Sequence, residues 1–278
     1  MSSAEYFRFV QMLADELTRK EIKLPSFPDV VIKIREALED GDCTAERVAD
    51  VVSLEPVLMS RILAMANSAF YNPAGVKITN LRAAISRLGF NMVRNTAIAM
   101  AVEQLFQAEQ QAAIRSQLKM LWKVSLRKAA MAEVLADQHA ELDADGAFLA
   151  GLLNEIGKLY ILTKAKEFPT LLADEDSRRQ VLEEWNPQVG KSILENWEFP
   201  EDIVDTVAGD QTQRRSSKPT LHDVIVASCY LSLRDAEAEV EEEFQPVVHK
   251  LGVDGPRYPP VYQRFEDKLE SLTAALAG

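Results

Sequence analysis

The run over residues 147–162, Ala-Phe-Leu-Ala-Gly-Leu-Leu-Asn-Glu-Ile-Gly-Lys-Leu-Tyr-Ile-Leu, is apolar on nearly every side of a helix. Phe148, Leu149, Leu152, Leu153, Ile156, Leu159, Tyr160 and Leu162 are spread around the helical wheel, so a helix built from them must be covered on most faces. That requirement puts it in the middle of a helical domain, where Gly151 and Gly157 let neighbouring backbones come close. Its polar exceptions are Asn154, Glu155 and Lys158. A polar pair inside an apolar element is either a chemical site or a satisfied hydrogen-bonding knot. Glu155 and Lys158 can pair along the helix at a spacing of three, and Asn154 can bond a neighbouring carbonyl.

The rest of the chain reads as helices in series. Tyr6, Phe9, Val10, Leu13 and Leu17 give a leading amphipathic helix over residues 4–20, with Ser3 as its cap. Leu24-Pro-Ser-Phe-Pro28 stops it, and Val30, Val31, Ile34 and Leu38 form the next stripe, ended by Glu39-Asp-Gly-Asp42. Thr44 caps a short helix through Val52, and Glu55-Pro56 opens one that ends in Asn67-Ser-Ala-Phe-Tyr71. Beyond the Asn72-Pro-Ala-Gly75 loop, Thr79 opens a helix to Gly89 and Asn91 caps another through about Phe106. Residues 109–140 stay helical over a length that suits a bend. Asp143 or Asp145 caps the central helix and Phe168-Pro169 closes it. Two helices separated at Asn186-Pro187 follow, and Phe199-Pro-Glu-Asp202 starts the next. A buried helix over 220–234, an acidic stretch over 235–243, a break at Gly255-Pro-Arg-Tyr-Pro-Pro260 and a terminal helix with Tyr262, Phe265, Leu269 and Leu272 on one face complete the chain. Period-2 alternation bounded by turn signals is missing, so the expected class is all-α.

Composition narrows the functional classes. With 278 residues, 47% hydrophobic and 27% charged, the chain can bury a substantial core. A net charge of −12 repels phosphate backbones and anionic lipid, which argues against nucleic acid or a membrane surface as the main partner. Residues 81–97, with Arg82, Arg87 and Arg94, therefore read as a packed hairpin rather than a DNA-binding helix-turn-helix. No apolar run reaches the length of a membrane span and the first residues are not a basic signal region, so a cytoplasmic location is expected. Cys43 and Cys229 read as two packed thiols. Gly-rich phosphate loops and nucleophile elbows are absent. His139, His222 and His249 have no metal-ligand spacing and read as surface or cap residues.

Several ordered landmarks resemble one family. Leu24-Pro-Ser-Phe-Pro28, Glu55-Pro56, Asn67-Ser-Ala-Phe-Tyr71 and Leu81-Arg-Ala-Ala-Ile-Ser-Arg-Leu-Gly-Phe90 look like the N-terminal half of HDOD domains, the HD-related output domains of bacteria. Leu121-Trp-Lys-Val-Ser125, the 147–158 run, Trp197-Glu-Phe-Pro200 and Leu251-Gly-Val253 are similar, in order, to the landmarks of the HD phosphohydrolase scaffold. The resemblance spans roughly residues 20–275. It implies an HD-like helical bundle in two packed lobes, about 20–115 and 116–278, laid out as a leading helix over 1–20, an HDOD domain over 21–217 and a helical completion over 218–278. It also implies a role in bacterial signalling, usually without catalysis.

The same resemblance assigns the positions of the hydrolase's metal ligands. The His-Asp pair falls on Asn154-Glu155 and the histidine after Trp122 falls on Val124. A further histidine falls on Asn186, the tandem histidines on Gly209-Asp210, and the late aspartate on Ser228. Imidazoles and carboxylates are what bind divalent ions and acidify bound water, and every imidazole is replaced. The expectation is a module with no catalytic residues, no metal and no cofactor, whose partners are signalling proteins such as response regulators or components of a cyclic-dinucleotide pathway. Two alternatives stay open: a degenerate phosphohydrolase using Glu155, Asp210 and a third ligand, and a nucleotide or second-messenger sensor using the residual pocket. Asn67, Ser68, Phe70 and Tyr71 read either as a helix-end cap packed on the core or as a recognition surface between the two halves.

Overall fold

The structure, a computed structural model, describes residues 2–24, 29–39, 43–108, 112–209, 216–236 and 238–276. Among these the chain is helical, with no strand. The first part holds α1 (Ser2–Thr18), α2 (Asp29–Glu39), α3 (Ala45–Ser53), α4 (Pro56–Asn67), α5 (Leu81–Leu88) and α6 (Phe90–Ala108). The second holds α7 (Ala112–Ala136), α8 (Ala144–Leu153), α9 (Ile156–Ala165), α10 (Pro169–Ala173), α11 (Glu175–Asn196), α12 (Glu201–Val207), α13 (Leu221–Leu231), α14 (Gln245–Lys250) and α15 (Tyr258–Leu276). The expected ends within residues 25–28 and 40–42 lie outside the described residues, as does Asp210.

Local chemistry sets the helix starts. Thr44 accepts a hydrogen bond from the Arg47 N–H at 3.2 Å and begins α3, as its residue type predicts. Pro56 occupies the first turn of α4, where its missing N–H costs nothing. Asp143, not Asp145, caps α8 by accepting from the Asp145 N–H at 3.1 Å. Thr220 and Asp223 form a reciprocal capping box on α13. Three expected caps are corrected. Ser3 lies inside α1, which already runs at Ser2. Asn80 rather than Thr79 caps α5, accepting from the Ala83 N–H at 2.8 Å. Asn91 is inside α6, and its amide donates to Asp145 Oδ2 at 3.0 Å.

The central run is buried as its wheel requires: every residue from Gly146 to Leu153 is shielded. It is not one helix, however. The chain breaks at Asn154–Glu155, where Glu155 sits at φ −99°, ψ 8°, and resumes as α9. A break in a core strands backbone groups, and the Asn186 side chain takes them up. Its amide donates to the Asn154 carbonyl at 2.9 Å and its Oδ1 accepts from the Lys158 N–H at 3.0 Å. Periodicity alone could not show this, because apolar residues continue in register on both sides.

The same asparagine corrects a second boundary. α11 runs unbroken through Pro187 instead of dividing at Asn186-Pro187. The carbonyl that loses its partner to the proline ring is that of Glu183, an exposed residue on which water can replace the bond. The buried side of α11 meanwhile presses Asn186, Val189, Gly190 and Ile193 onto the core. Packing of that face outweighs the lost hydrogen bond.

Helices α2 to α6 pack on one another, as do α7 to α14, and one hydrophobic core runs through both groups. α15 bridges them by lying on α7 and α4. The leading helix belongs spatially with the second group, packing on α10 and α11. Glu5 Oε2 accepts from the N–H groups of Thr170 and Leu171 at 2.9 and 3.2 Å, and Glu16 receives the Tyr160 hydroxyl at 2.8 Å and the Lys164 ammonium at 2.6 Å.

Gly157 marks where α9 meets α11 most tightly. A methyl group there would run into the Asn186 carbonyl oxygen and lie 2.9 Å from the Gly190 nitrogen, both on the backbone. Gly157→Ala is expected to lower stability by about 2 to 3 kcal/mol in chemical denaturation. Gly190→Ala meets only a movable Val207 methyl at 3.2 Å. Its cost should stay within about 1 kcal/mol, since alanine also favours the helix.

Candidate functional site

Four of the helices converge on the break between α8 and α9. From α7 comes Lys128, whose Nζ donates to Asn154 Oδ1 at 2.8 Å and to Glu155 Oε1. Glu155 Oε2 faces the Lys158 ammonium of α9 at 2.8 Å. α11 supplies Asn186, already engaged with the backbone, and α13 supplies Cys229, whose thiol donates to Asn154 Oδ1 at 3.4 Å. Gly151 allows the approach of α7: a methyl there would lie 2.8 Å from the Lys128 carbonyl oxygen. The core of the cluster is dry, with the Lys128 and Glu155 side chains only 7% and 5% exposed, while Lys158 at 20% reaches toward solvent.

Two ammoniums therefore enclose one carboxylate. Burial alone would push the Glu155 carboxyl up, but Lys128 and Lys158 hold it below its ordinary value. Burial likewise works against the Lys128 ammonium, which the facing Glu155 carboxylate helps keep above its ordinary value. Burial pushes the Cys229 thiol up, so this cysteine is a packed, unreactive hydrogen-bonding group.

The other positions assigned from the sequence are placed as follows. Val124 is on the same face of α7 as Lys128, one turn earlier. Ser228 is buried and its hydroxyl donates to its own helix at the Ile225 carbonyl, 2.9 Å away. Gly209, at φ 72°, is an exposed glycine after α12. Among the histidines, His249 is exposed and bonds Asp254 at 2.7 Å, and His139 bonds the Leu251 carbonyl at 3.1 Å. His222 is buried, contrary to the surface or cap reading, in a first turn of α13 that α14 covers, with Lys250 paired to Asp223 at 2.6 Å. Among the described residues, no group of three or more His, Cys, Asp and Glu side chains is placed to hold a metal ion.

Lys128 is the residue that sequence reasoning missed. Its signal was present: Leu118, Leu121, Ser125, Lys128, Ala132 and Leu135 recur at spacings of three and four, so the lysine lies on the inward stripe of α7.

A second polar group forms where α4 ends. The Asn67 amide donates to the carbonyls of Leu63 and Ile78 and accepts from the Ile78 N–H, each at 2.8 Å, which ties the following loop to the helix. The Ser68 hydroxyl donates to the Met65 carbonyl at 2.8 Å. Phe70 and Tyr71 meet edge to face at 5.1 Å and lie against Lys268 of α15. Two of the three arginines of the α5–α6 hairpin are engaged within the chain: Arg82 pairs with Glu46, and Arg87 donates to the Tyr71 carbonyl at 3.2 Å.

The architecture has solved counterparts. A candidate metal-dependent phosphohydrolase from Shewanella amazonensis superposes with a TM-score of 0.80 at 23% identity, over 98% of this chain and 99% of that one. An HDOD domain protein of unknown function from Geobacter sulfurreducens gives 0.66 at 22% identity, over 91% and 92%. A candidate signal transduction protein from Marinobacter aquaeolei gives 0.57 at 21% identity, over 95% of this chain and 60% of that one. The fold is thus the all-α bundle shared by HD-type phosphohydrolases and HDOD proteins. Residues 24–212 match the HDOD domain, and the chain belongs to that family. An uncharacterized protein of Treponema pallidum is 20% identical over 83% of this chain, which spans about half (46%) of that relative's length. No helix among the described residues is long and apolar enough to cross a membrane.

Lys128→Met leaves Glu155 with one ammonium in a dry site, and an unfolding titration should show a loss of about 3 kcal/mol. The acid response has a definite sign. Because the Glu155 carboxyl is held below its ordinary value of 4.5, its contribution is full above that pH and is lost as pH falls through the depressed value. A Glu155→Gln variant is expected to be less stable at neutral pH yet to lose less stability than the wild type on acidification below 4.5, as read by thermal melts across pH.

Proposed function

We propose that this chain is a non-enzymatic output module of bacterial signal transduction, in which the HD-type site has given up its metal and the bundle acts by contact with other proteins. What carries the reading is the occupancy of Glu155, whose two oxygens are each held by a lysine ammonium. The residues at this place do not fit a divalent ion. An ammonium stands against the carboxylate that would have to bind it, Asn154 offers a neutral amide already hydrogen bonded, and Val124 and Gly209 offer no side-chain donor.

On this reading a change in the packing of the two helix groups is the output. Its readers are signalling proteins of the response-regulator or cyclic-dinucleotide type in the cytoplasm. The family to which the chain belongs, and the description of the Marinobacter structure as a candidate signal transduction protein, agree with this role.

The decisive experiment combines metal analysis of protein grown with excess manganese, iron and zinc with hydrolysis assays on nucleotides and cyclic dinucleotides. Substoichiometric metal and no turnover are expected, together with recovery of a specific signalling protein on the tagged chain. One bound divalent ion per chain, with turnover that Glu155→Ala abolishes, overturns the proposal.

A sensor reading has one observation in its favour, though not at Glu155. A cleft of about 690 Å³ opens between α2, α6, α8 and the α11–α12 turn, lined by Val31, Ile98, Leu149 and Trp197, with Arg94 as its one cation and Asp143, Glu198 and Asp202 as its carboxylates. A nucleotide panel in thermal-shift assays tests it, since a ligand specific for the folded state raises the melting temperature.

A further inference from the structure

Lys268 is fully buried on the inward face of α15, whereas the other lysines with described side chains, Lys128 apart, are exposed or half-buried. Its ammonium donates to Glu133 Oε1 of α7 at 2.6 Å and to the Tyr71 hydroxyl, and lies over the rings of Tyr71 and Phe70 at 4.4 and 5.0 Å. Three separate pieces of the fold therefore meet on one nitrogen: the loop after α4, the last turn of α7 and α15. The loop carrying the two rings is held in shape by Asn67, which bonds Ile78 through both its amide atoms.

We propose that Lys268 is the latch between the two helix groups, with Phe70, Tyr71 and Glu133 as its socket, and that the closed and open forms of this seam are the states the module signals with. The inference rests on the non-enzymatic reading above and adds the place where its regulation acts. The chemistry suits a latch better than a permanent rivet. Burial works against both charges, pulling the Lys268 ammonium well below its ordinary value and pushing the Glu133 carboxyl well above its own, with Asp145 and Asp137 adding to the latter. Glu133 Oε2 has no hydrogen-bond partner in its buried position. A site of this kind specifies one arrangement while contributing little net stability, so a modest change in contacts can release it. Among the described residues few other polar ties cross the seam. Asn91 and Asn95 of α6 donate to Asp145 at its Oδ2 and its carbonyl, 3.0 and 3.1 Å away.

Hydrogen exchange on the full chain tests the latch. In Lys268→Met, amides of residues 67–78 and of α15 should exchange about tenfold faster or more, the change expected for a local opening eased by roughly 1.4 kcal/mol, while α8, α9 and α11 keep wild-type protection. Tyr71→Phe keeps the ring and removes only the hydroxyl. It should speed exchange in the same two segments by a smaller factor and supplies the readout if Lys268→Met does not fold. Unchanged exchange in these segments, or an equal increase in every helix, overturns the latch. Affinity for the recovered signalling partner separates the two claims. If the seam opens in the variants and partner affinity stays within twofold of wild type, both the signalling role given to the latch and the lobe-packing output fail. If the seam does not open, the latch fails while the non-enzymatic reading stands on its metal and turnover assays.

Discussion

The grip of Lys128 and Lys158 on the Glu155 carboxylate is the constraint around which the interior is arranged. A buried carboxylate costs several kcal/mol in desolvation unless charges and hydrogen bonds compensate it. Supplying that compensation requires α7 to lie close enough to deliver Lys128, which in turn requires Gly151 on the facing helix. It also requires the apolar run to bend at Asn154–Glu155, and the bend is tolerable because Asn186 takes up the backbone groups it strands. Gly157 then lets α11 bring Asn186 into reach. One charged group thus fixes the relative placement of four helices.

Much of the fold was legible because it depends on local rules. The all-α class followed from periodicity, and Thr44 and Pro56 marked their helix starts, the one by the hydrogen bond its hydroxyl accepts and the other by lacking an N–H that would have gone unpaired. The core position of residues 147–153 followed from having no polar face to turn outward. What failed to show were features set by tertiary contact. The split of the central run and the continuity of α11 through Pro187 both depend on Asn186 meeting a segment about thirty residues away, which no window of sequence contains. The site was half legible. Asn154, Glu155 and Asn186 were singled out and do come together, whereas Lys128 was passed over because lysines are read as solvated, and Cys229 was read only as a packed thiol.

On the proposed reading, lysine ammoniums beside Glu155 take over the positive charge that a metal ion would supply, and the nature of that charge differs. A metal ion is exchangeable, and its presence depends on supply and pH. An ammonium on a four-carbon stem is covalently part of the fold, so the charge at Glu155 is present in every folded molecule. On the proposed reading this frees the module from metal availability while preserving the geometry that the ion once organised.

The docking of α1 onto α10 and α11 has a topological consequence. The chain starts on the larger helix group, makes an excursion through α2 to α6, and returns to the same group at α7. The smaller group is in effect an insertion with both of its stems rooted in one scaffold, and α15 reaches back to touch it from a third direction. Such a body has no freedom to swing away on a single tether. Its accessible displacements are small rocking motions about the paired stems, of the kind that one contact at the far edge can arrest or permit.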